Sequence, residues 1–234
     1  MYELKSFDDR ASLISAMAQD TTRVLRNALK EKQSAAWAVS GGNSPIPLFE
    51  AMNTINIDWE NITIPLVDDR WVPEDHPRSN AAMVKRTLLQ NNAAKAKFFP
   101  LYREGQSPFD CYTSVSSAYD ASVQELDLAV LGMGPDGHTA SLFPGAKGLE
   151  EAFNIEGAPS IAPIEAVKSD VTGDEVLRLT LSARALVKCQ HLFLLLTGAD
   201  KKEVFMAATD ENSTLPIGRL MRQLSRPITV YYAD

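Results

Sequence analysis

Residues 35–49 read Ala35-Ala36-Trp37-Ala38-Val39-Ser40-Gly41-Gly42-Asn43-Ser44-Pro45-Ile46-Pro47-Leu48-Phe49, and this stretch sets the pattern for the chain. Its first five residues are a short apolar run of the kind that is buried as a strand. Glycines and polar residues interrupt the run, and apolar residues at helical spacing around Leu48, Phe49 and Met52 follow. The stretch therefore predicts a strand, a tight loop and a helix.

The same order of elements recurs along the chain. Apolar strands are predicted at residues 62–67 and 126–131, each followed by a polar loop, and further strands at 176–181, 191–196 and 228–232. Upstream, Asp8 or Asp9 would cap an amphipathic helix of about six turns. Because strands alternate with helices, we predict an α/β protein with a three-layer α/β/α, Rossmann-like fold and a mostly parallel central sheet.

Length and composition predict one globular domain, residues 1–234. Apolar residues make up 45% of the chain and charged residues 23%, which is typical of a folded protein. A chain of this size is expected to bury roughly 70% of its unfolded surface, enough for one substantial core. Residues 147–174 are rich in glycine and proline, and we expect them to decorate this domain rather than divide it.

The charge of the chain excludes several classes of partner. There are 23 Lys and Arg against 30 Asp and Glu, a net charge of −7, so we expect neither nucleic-acid nor membrane binding. The charged N-terminus shows no signal peptide, and the longest apolar stretch, 192–196, is too short to span a bilayer. Cys111 and Cys189 are far apart and suggest reduced thiols, so a cytoplasmic protein is predicted.

The loop Ser40-Gly41-Gly42-Asn43-Ser44 has the chemistry of a phosphate cradle. Its glycines let backbone N–H groups approach an anion, its side chains add polar donors, and Pro45 suits the first turn of a helix. An ordinary turn with a helix cap is the alternative interpretation. A ligand site is favoured only if other polar loops meet this one.

Two further loops follow predicted strands. One of them, Asp68-Asp69-Arg70-Trp71-Val72-Pro73, places two carboxylates and a guanidinium at the end of a strand. These charges either form part of a ligand site or make an ion pair exposed to solvent. In parallel sheets the carboxyl ends of the strands border the ligand crevice, so these loops are expected to converge there.

The third loop, Gly132-Met133-Gly134-Pro135-Asp136-Gly137-His138, formally matches the dinucleotide pattern G-x-G-x-x-G. The proline and the missing acidic strand end downstream argue against that use. His138 is instead suited to act as a general base, since an unperturbed imidazole has a pKa near 6.5, and Asp136 could orient its ring or meet the substrate. No histidine has a partner at metal-ligand spacing, so no metal site is predicted.

Taken together, these loops resemble the 6-phosphogluconolactonase family, within the glucosamine-6-phosphate deaminase-like superfamily. The resemblance covers nearly the whole chain, and residues 132–145 are its most specific part. Asp69 departs from the family, which usually has Glu there. The matching segments are Ser40-Gly41-Gly42, residues 68–73 with Ser79-Asn80, residues 132–145, Arg178-Leu179-Thr180-Leu181 and Thr197-Gly198-Ala199-Asp200-Lys201.

The resemblance implies hydrolysis of 6-phospho-D-glucono-1,5-lactone to 6-phospho-D-gluconate, a step of the oxidative pentose phosphate pathway, without metal or cofactor. His138 would deprotonate the attacking water, with Asp136 beside it, and Arg70 would stabilise the oxyanion or bind phosphate. The substrate and its phosphate would be held by Ser40, Gly41, Gly42, Asn43, Ser44, Asp68, Arg178 and Lys201.

Two other functions stay open from the sequence. An aminosugar-phosphate deaminase or isomerase would use a similar fold and an Asp-Gly-His turn for proton transfer. A non-catalytic regulator that binds sugar phosphates would need the phosphate loop but not His138, Asp136 and Arg70 together. The only expected partner is the sugar-phosphate lactone, and the sequence is compatible with a monomer.

Overall fold

The computed structural model describes residues 1–234 and has the predicted α/β architecture. Two short 3-10 helical segments, Trp59–Asn61 and Asn91–Lys95, lie between the main elements. The strands are β1 (Tyr2–Ser6), β2 (Ala35–Val39), β3 (Ile62–Pro65), β4 (Asp68–Arg70), β5 (Lys97–Phe99), β6 (Leu128–Gly132), β7 (Ile161–Glu165), β8 (Leu177–Leu181), β9 (His191–Thr197) and β10 (Ile228–Ala233). The helices are α1 (Arg10–Lys32), α2 (Ile46–Met52), α3 (Asn80–Thr87), α4 (Pro108–Ser122), α5 (Leu149–Phe153), α6 (Ala183–Lys188), α7 (Ala199–Ala208) and α8 (Pro216–Gln223).

The central sheet has seven strands in the order β1-β10-β9-β6-β2-β3-β5. Every neighbouring pair in it is parallel, which confirms the predicted mostly parallel sheet. Trp37 lies opposite Leu128 and Val130 opposite Phe193, so the apolar runs sit side by side. All five residues of β2 are buried, as expected when helices cover both faces of a sheet.

Helix α1 confirms the predicted long amphipathic helix. The carboxylate of Asp9 accepts a hydrogen bond from the backbone N–H of Ser12 at 2.7 Å, so Asp9 is the N-cap. The helix ends at Gln33, whose φ of 61° is left-handed. Its apolar stripe, which includes Leu13, Met17 and Leu25, is buried against the core.

A second sheet corrects part of the sequence analysis. Strand β8 falls inside the strand predicted at residues 176–181, but it belongs to a separate antiparallel sheet of three strands, β4-β8-β7. Residues 147–174 are not only loop, since they contain α5 and β7. Local sequence does not reveal which sheet a strand joins, because pairing depends on distant partners. Asp68–Arg70, predicted as part of a loop, form strand β4 of this small sheet, because they pair with β8, and Arg70 lies directly opposite Arg178.

The apolar interior is continuous. One cluster of 67 buried hydrophobic residues runs through the chain, and we propose on this basis that residues 1–234 form one domain. Both cysteines are buried and unpaired. None of the helices is both long and apolar enough to cross a bilayer.

Candidate active site

The polar loops meet in one cleft at the carboxyl edge of the central sheet. The cleft has a volume of about 230 Å³. Asn43 does not line it, and its carbonyl instead accepts from the N–H of Ile46 in the turn before α2. Asp136 does not line it either but contacts His138. The predicted site residues that line the cleft are Ser40, Gly41, Gly42, Ser44, Asp68, Arg70, His138, Arg178 and Lys201.

The loop of residues 40–44 presents backbone donors to this cleft. The backbone N–H groups of residues 41–44 donate to no acceptor within the protein, which leaves them available to an anion. Gly42 has a φ of +86°, a conformation that favours glycine. The buried hydroxyl of Ser40 donates to the carbonyl oxygen of Val130 at 2.8 Å, so this side chain ties the loop to β6.

His138 is held in one orientation by its neighbours. Its Nδ1 lies 2.5 Å from Oδ1 of Asp136, and its backbone N–H donates to the same oxygen at 3.2 Å. The imidazole packs on the ring of Phe143, with 4.1 Å between centroids. With the Nδ1 proton directed at Asp136, the lone pair of Nε2 is free to accept a proton.

Asp136 is suited to hold the Nδ1 proton of His138 because its carboxyl is ionised. Burial raises the pKa of its carboxyl, but the hydrogen bonds from His138, and the charge of that ring when it is protonated, outweigh burial, so the net pKa lies below the usual value. A carboxylate at Nδ1 both fixes the tautomer of the ring and stabilises the imidazolium that forms when Nε2 takes a proton.

Arg70 is held at the edge of the small sheet. Its Nη1 donates to Oδ1 of Asn80 at 2.8 Å and to the carbonyl oxygen of Arg78 at 2.9 Å. Beside it, Oδ2 of Asp68 accepts from the hydroxyl of Ser141 at 2.5 Å. The guanidinium is thus fixed by two acceptors that carry no charge, and its own charge remains available to a ligand.

Asp69 is a buried acceptor that connects Arg70 with the start of α3. It is 1% exposed, and its carboxylate accepts from the backbone N–H groups of Arg70, Asn80 and Ala81 at 2.7–3.0 Å. Burial raises the pKa of Asp69 to about 7, and the charge of Asp68 adds to this, although the three hydrogen bonds oppose it. The shorter carboxylate at this position therefore fastens β4 to the start of α3.

Asn80 is a site residue beside the N-terminal cap of α3, and the sequence analysis gave it no role of its own. Ser79 makes that cap, accepting from the backbone N–H of Ala82 at 3.2 Å. The buried side chain of Asn80 instead joins two parts of the site, because Nδ2 donates to the carbonyl of Asp68 and Oδ1 accepts from Arg70. A Cβ on Gly41 would lie 1.9 Å from Oδ1 of Asn80, so the loop of residues 40–44 packs directly on this amide.

Two cations complete the cleft. Arg178 is only 3% exposed, and its guanidinium lies over the ring of Phe143 at 4.9 Å. Burial lowers the pKa of Arg178 to about 10, and the charges of Arg70 and Arg78 add to this. The charges of Asp68 and Glu175 oppose the shift. Lys201 is half-buried near the start of α7, and its pKa is lowered by burial and by the charge of Arg10.

The other two histidines, His76 and His191, do not line the cleft. His76 has its Nε2 3.9 Å from the carboxylate of Glu175, and His191 is exposed at the start of β9. No three histidine, cysteine or carboxylate side chains are grouped as ligands for one metal ion.

Comparison with known proteins identifies the family. A family model described as "Glucosamine-6-phosphate isomerases/6-phosphogluconolactonase" matches residues 8–228. The chain belongs to this family. Among relatives of this glucosamine-6-phosphate isomerase/6-phosphogluconolactonase family, a 6-phosphogluconolactonase of Mesorhizobium japonicum is 37% identical over 99% of this chain and 95% of its own. One from Rhizobium meliloti is 35% identical over 97% of both chains.

Solved structures of the family share the fold. The crystal structure of a 6-phosphogluconolactonase from Shewanella baltica superposes with a TM-score of 0.92 at 30% identity, covering 100% of this chain and 98% of the other. A putative 6-phosphogluconolactonase from Neisseria gonorrhoeae gives a TM-score of 0.86 at 33% identity, with 100% of both chains covered. The family resemblance drawn from the loops is confirmed.

Proposed function

We propose that this chain hydrolyses 6-phospho-D-glucono-1,5-lactone to 6-phospho-D-gluconate, the lactone-opening step of the oxidative pentose phosphate pathway. The observation that carries the proposal is the His138–Asp136 pair, which lies beside a loop of free backbone N–H groups and three cationic side chains. The named lactonases that align over the full chain support the same activity.

The reaction needs one base to deprotonate the water molecule that attacks the carbonyl carbon of the lactone. Nε2 of His138 takes a proton from a water molecule while the water oxygen forms a bond to that carbon, and the carbonyl π electrons move to its oxygen. When the tetrahedral intermediate collapses, the bond from carbon to the ring oxygen breaks. The imidazolium then returns its proton to that oxygen, which becomes the free hydroxyl of the product.

Arg70 is our candidate for the group that stabilises the oxyanion. Its guanidinium is fixed before the substrate arrives, since Asn80 and the carbonyl of Arg78 hold it. A donor that is already in place needs no reorganisation as charge develops on the carbonyl oxygen, which is the main advantage of such sites. Asp68, also in the cleft, is proposed to contact the sugar hydroxyls.

The phosphate of the substrate would be bound by the N–H groups of residues 41–44 together with Arg178 and Lys201. The side chains that line the cleft include three with a formal positive charge, Arg70, Arg178 and Lys201, against the one carboxylate of Asp68. A phosphate monoester carries a charge of about −1.5 to −2 at neutral pH, which this local excess can balance. Attraction is therefore local, because the chain as a whole has a charge of −7.

All groups of the proposed site come from one chain, so a monomer is sufficient for the reaction. We also propose a cytoplasmic location, which the two unpaired cysteines support.

The test is hydrolysis of freshly generated lactone by purified protein, measured against the spontaneous rate. We expect His138→Ala to lower kcat on the order of 10²- to 10⁴-fold, the usual contribution of a general base, while the Kd for 6-phosphogluconate stays near the parent value. Equal kcat in parent and variant would refute the role of His138. Release of ammonia from glucosamine 6-phosphate without lactone hydrolysis would instead assign the isomerase branch, and ligand binding without either reaction would assign a regulator.

A further inference from the structure

Three arginines form a connected chain along one side of the cleft. Nη1 of Arg70 donates to the carbonyl oxygen of Arg78 at 2.9 Å, and Nη2 of Arg78 donates to the carbonyl oxygen of Thr172 at 3.1 Å. Nη2 of Arg178 donates to the same carbonyl at 2.9 Å. Arg70 and Arg178 line the cleft, whereas Arg78 does not. Arg78 therefore links two site residues from a position outside the cleft.

The shared carbonyl belongs to a well-fixed turn. Thr172 is 2% exposed, its hydroxyl donates to the carbonyl of Val167 at 2.7 Å, and it accepts from the backbone N–H of Ser169 at 2.8 Å. Arg78 packs tightly here, since a Cβ on Gly173 would lie 1.9 Å from its Nη1. The turn therefore presents one acceptor to two guanidinium groups.

The charge of Arg78 is neutralised within this arrangement. Its Nη1 lies 2.5 Å from Oε2 of Glu175, and the other carboxylate oxygen of Glu175 lies 3.9 Å from Nε2 of His76. Arg178 has no such partner, because its one hydrogen bond is to the carbonyl of Thr172. Pairing Arg78 with Glu175 thus leaves the charge of Arg178 for a ligand.

We propose that Arg78 is a positioning residue that sets the guanidinium of Arg178 for the phosphate of the substrate, an inference that rests on the proposed function. Without the Arg78 side chain, the carbonyl of Thr172 loses one of its two donors. Glu175 also loses its ion-pair partner, and its carboxylate is then free to draw Arg178 away from the cleft. The proton transfers at His138 do not depend on this network.

The experiment compares Arg78→Met with the parent enzyme for KM and kcat on the lactone, and for the Kd of 6-phosphogluconate and of inorganic phosphate by calorimetry. We expect KM and both Kd values to rise about tenfold, the loss of roughly one hydrogen bond to a charged group, while kcat stays near the parent value. Arg78→Lys should restore part of the affinity. Arg86→Met, at an exposed arginine on α3, is the matched control and should leave all values unchanged.

A double variant separates positioning from general stability. If Arg78 acts through Arg178, then Arg78→Met adds little to the Kd of Arg178→Met, whereas additive effects would overturn the proposal. Unchanged KM and Kd in Arg78→Met, or a loss confined to kcat, would also overturn it. If Arg78→Met does not fold, Arg78→Lys is measured in its place, and it should raise Kd by less than about tenfold, whereas an unchanged Kd would overturn the proposal. A parent protein that binds phosphate but does not open the lactone would refute the proposed function alone, since the Kd comparison remains.

Discussion

Replacing Gly134 by alanine would place a methyl group on the ring of His138. A Cβ at Gly134 would lie 2.1 Å from Cε1 and 2.2 Å from Nδ1 of the imidazole, and 2.8 Å from Oδ1 of Asp136. Ordinary van der Waals contact begins at 3.4 Å, so the ring has to retreat by 3.4 − 2.1 = 1.3 Å. The proposed base and its hydrogen bond to Asp136 are both displaced.

The expected loss follows from that distance. A displacement of about 1 Å in a reacting group costs on the order of 10² in rate, so we expect kcat for the lactone to fall about 100-fold. Stability should fall by about 1–3 kcal/mol, the usual cost of inserting an extra methyl group into a packed site, because the imidazole and its hydrogen bond to Asp136 must move. The Kd for 6-phosphogluconate should stay near the parent value, since the loop of residues 40–44, our proposed phosphate site, is untouched.

The same loop offers a matched control. A Cβ on Gly132, which also lines the cleft, meets no atom within 4 Å, and Gly132 lacks a positive φ, so Gly132→Ala should leave His138 in place and lower kcat far less than Gly134→Ala. Initial rates on fresh lactone, calorimetry and thermal unfolding give the three readouts. If Gly134→Ala retains parent kcat while a histidine NMR titration shows a displaced ring, the position of His138 does not limit the reaction and its assignment as the base is wrong.

Two further predictions concern the residues beneath Arg70. Asn80→Ala removes the amide that holds this guanidinium, so kcat should fall about tenfold with little change in KM. A rise in KM without a fall in kcat would indicate that Arg70 binds the phosphate and does not stabilise the oxyanion. The pKa of Asp69 is about 7 in the fold, above its usual value, so its contribution to stability is full below pH 4 and is lost as the pH rises through 7. The difference in unfolding free energy between parent and Asp69→Asn, from urea titrations, should therefore shrink by about 1 kcal/mol per pH unit from pH 5 to 7, and a constant difference would contradict the buried, protonated carboxyl.

Much of the fold could be predicted because its signals are local. The apolar run at 35–39, the cap at Asp9 and the glycines of the first loop each depend on a few neighbouring residues, and the structure has a strand, a helix start and a left-handed residue at these places. The crevice could be placed as well, since the loops at the carboxyl ends of parallel strands share one edge.

The parts that were missed depend on distant residues. Arg70 and Arg178 are more than a hundred positions apart, and only the antiparallel pairing of β4 with β8 sets them opposite each other. In the sequence, Asn80 looks like any residue at a helix start, and Thr172 lies in a stretch taken as loop. Their roles arise from a side-chain amide and a backbone carbonyl that become acceptors only when these segments meet.

The sequence by itself therefore determined the α/β order of elements and the chemical inventory of the site, because helical and strand periodicity, caps and glycine loops act over a few residues. Only the tertiary structure decided how that inventory is arranged. The second sheet, the Asp69 carboxylate under Arg70 and the Arg78 link to Thr172 are long-range contacts, and a contact of this kind exists only once the chain has brought its two sides together.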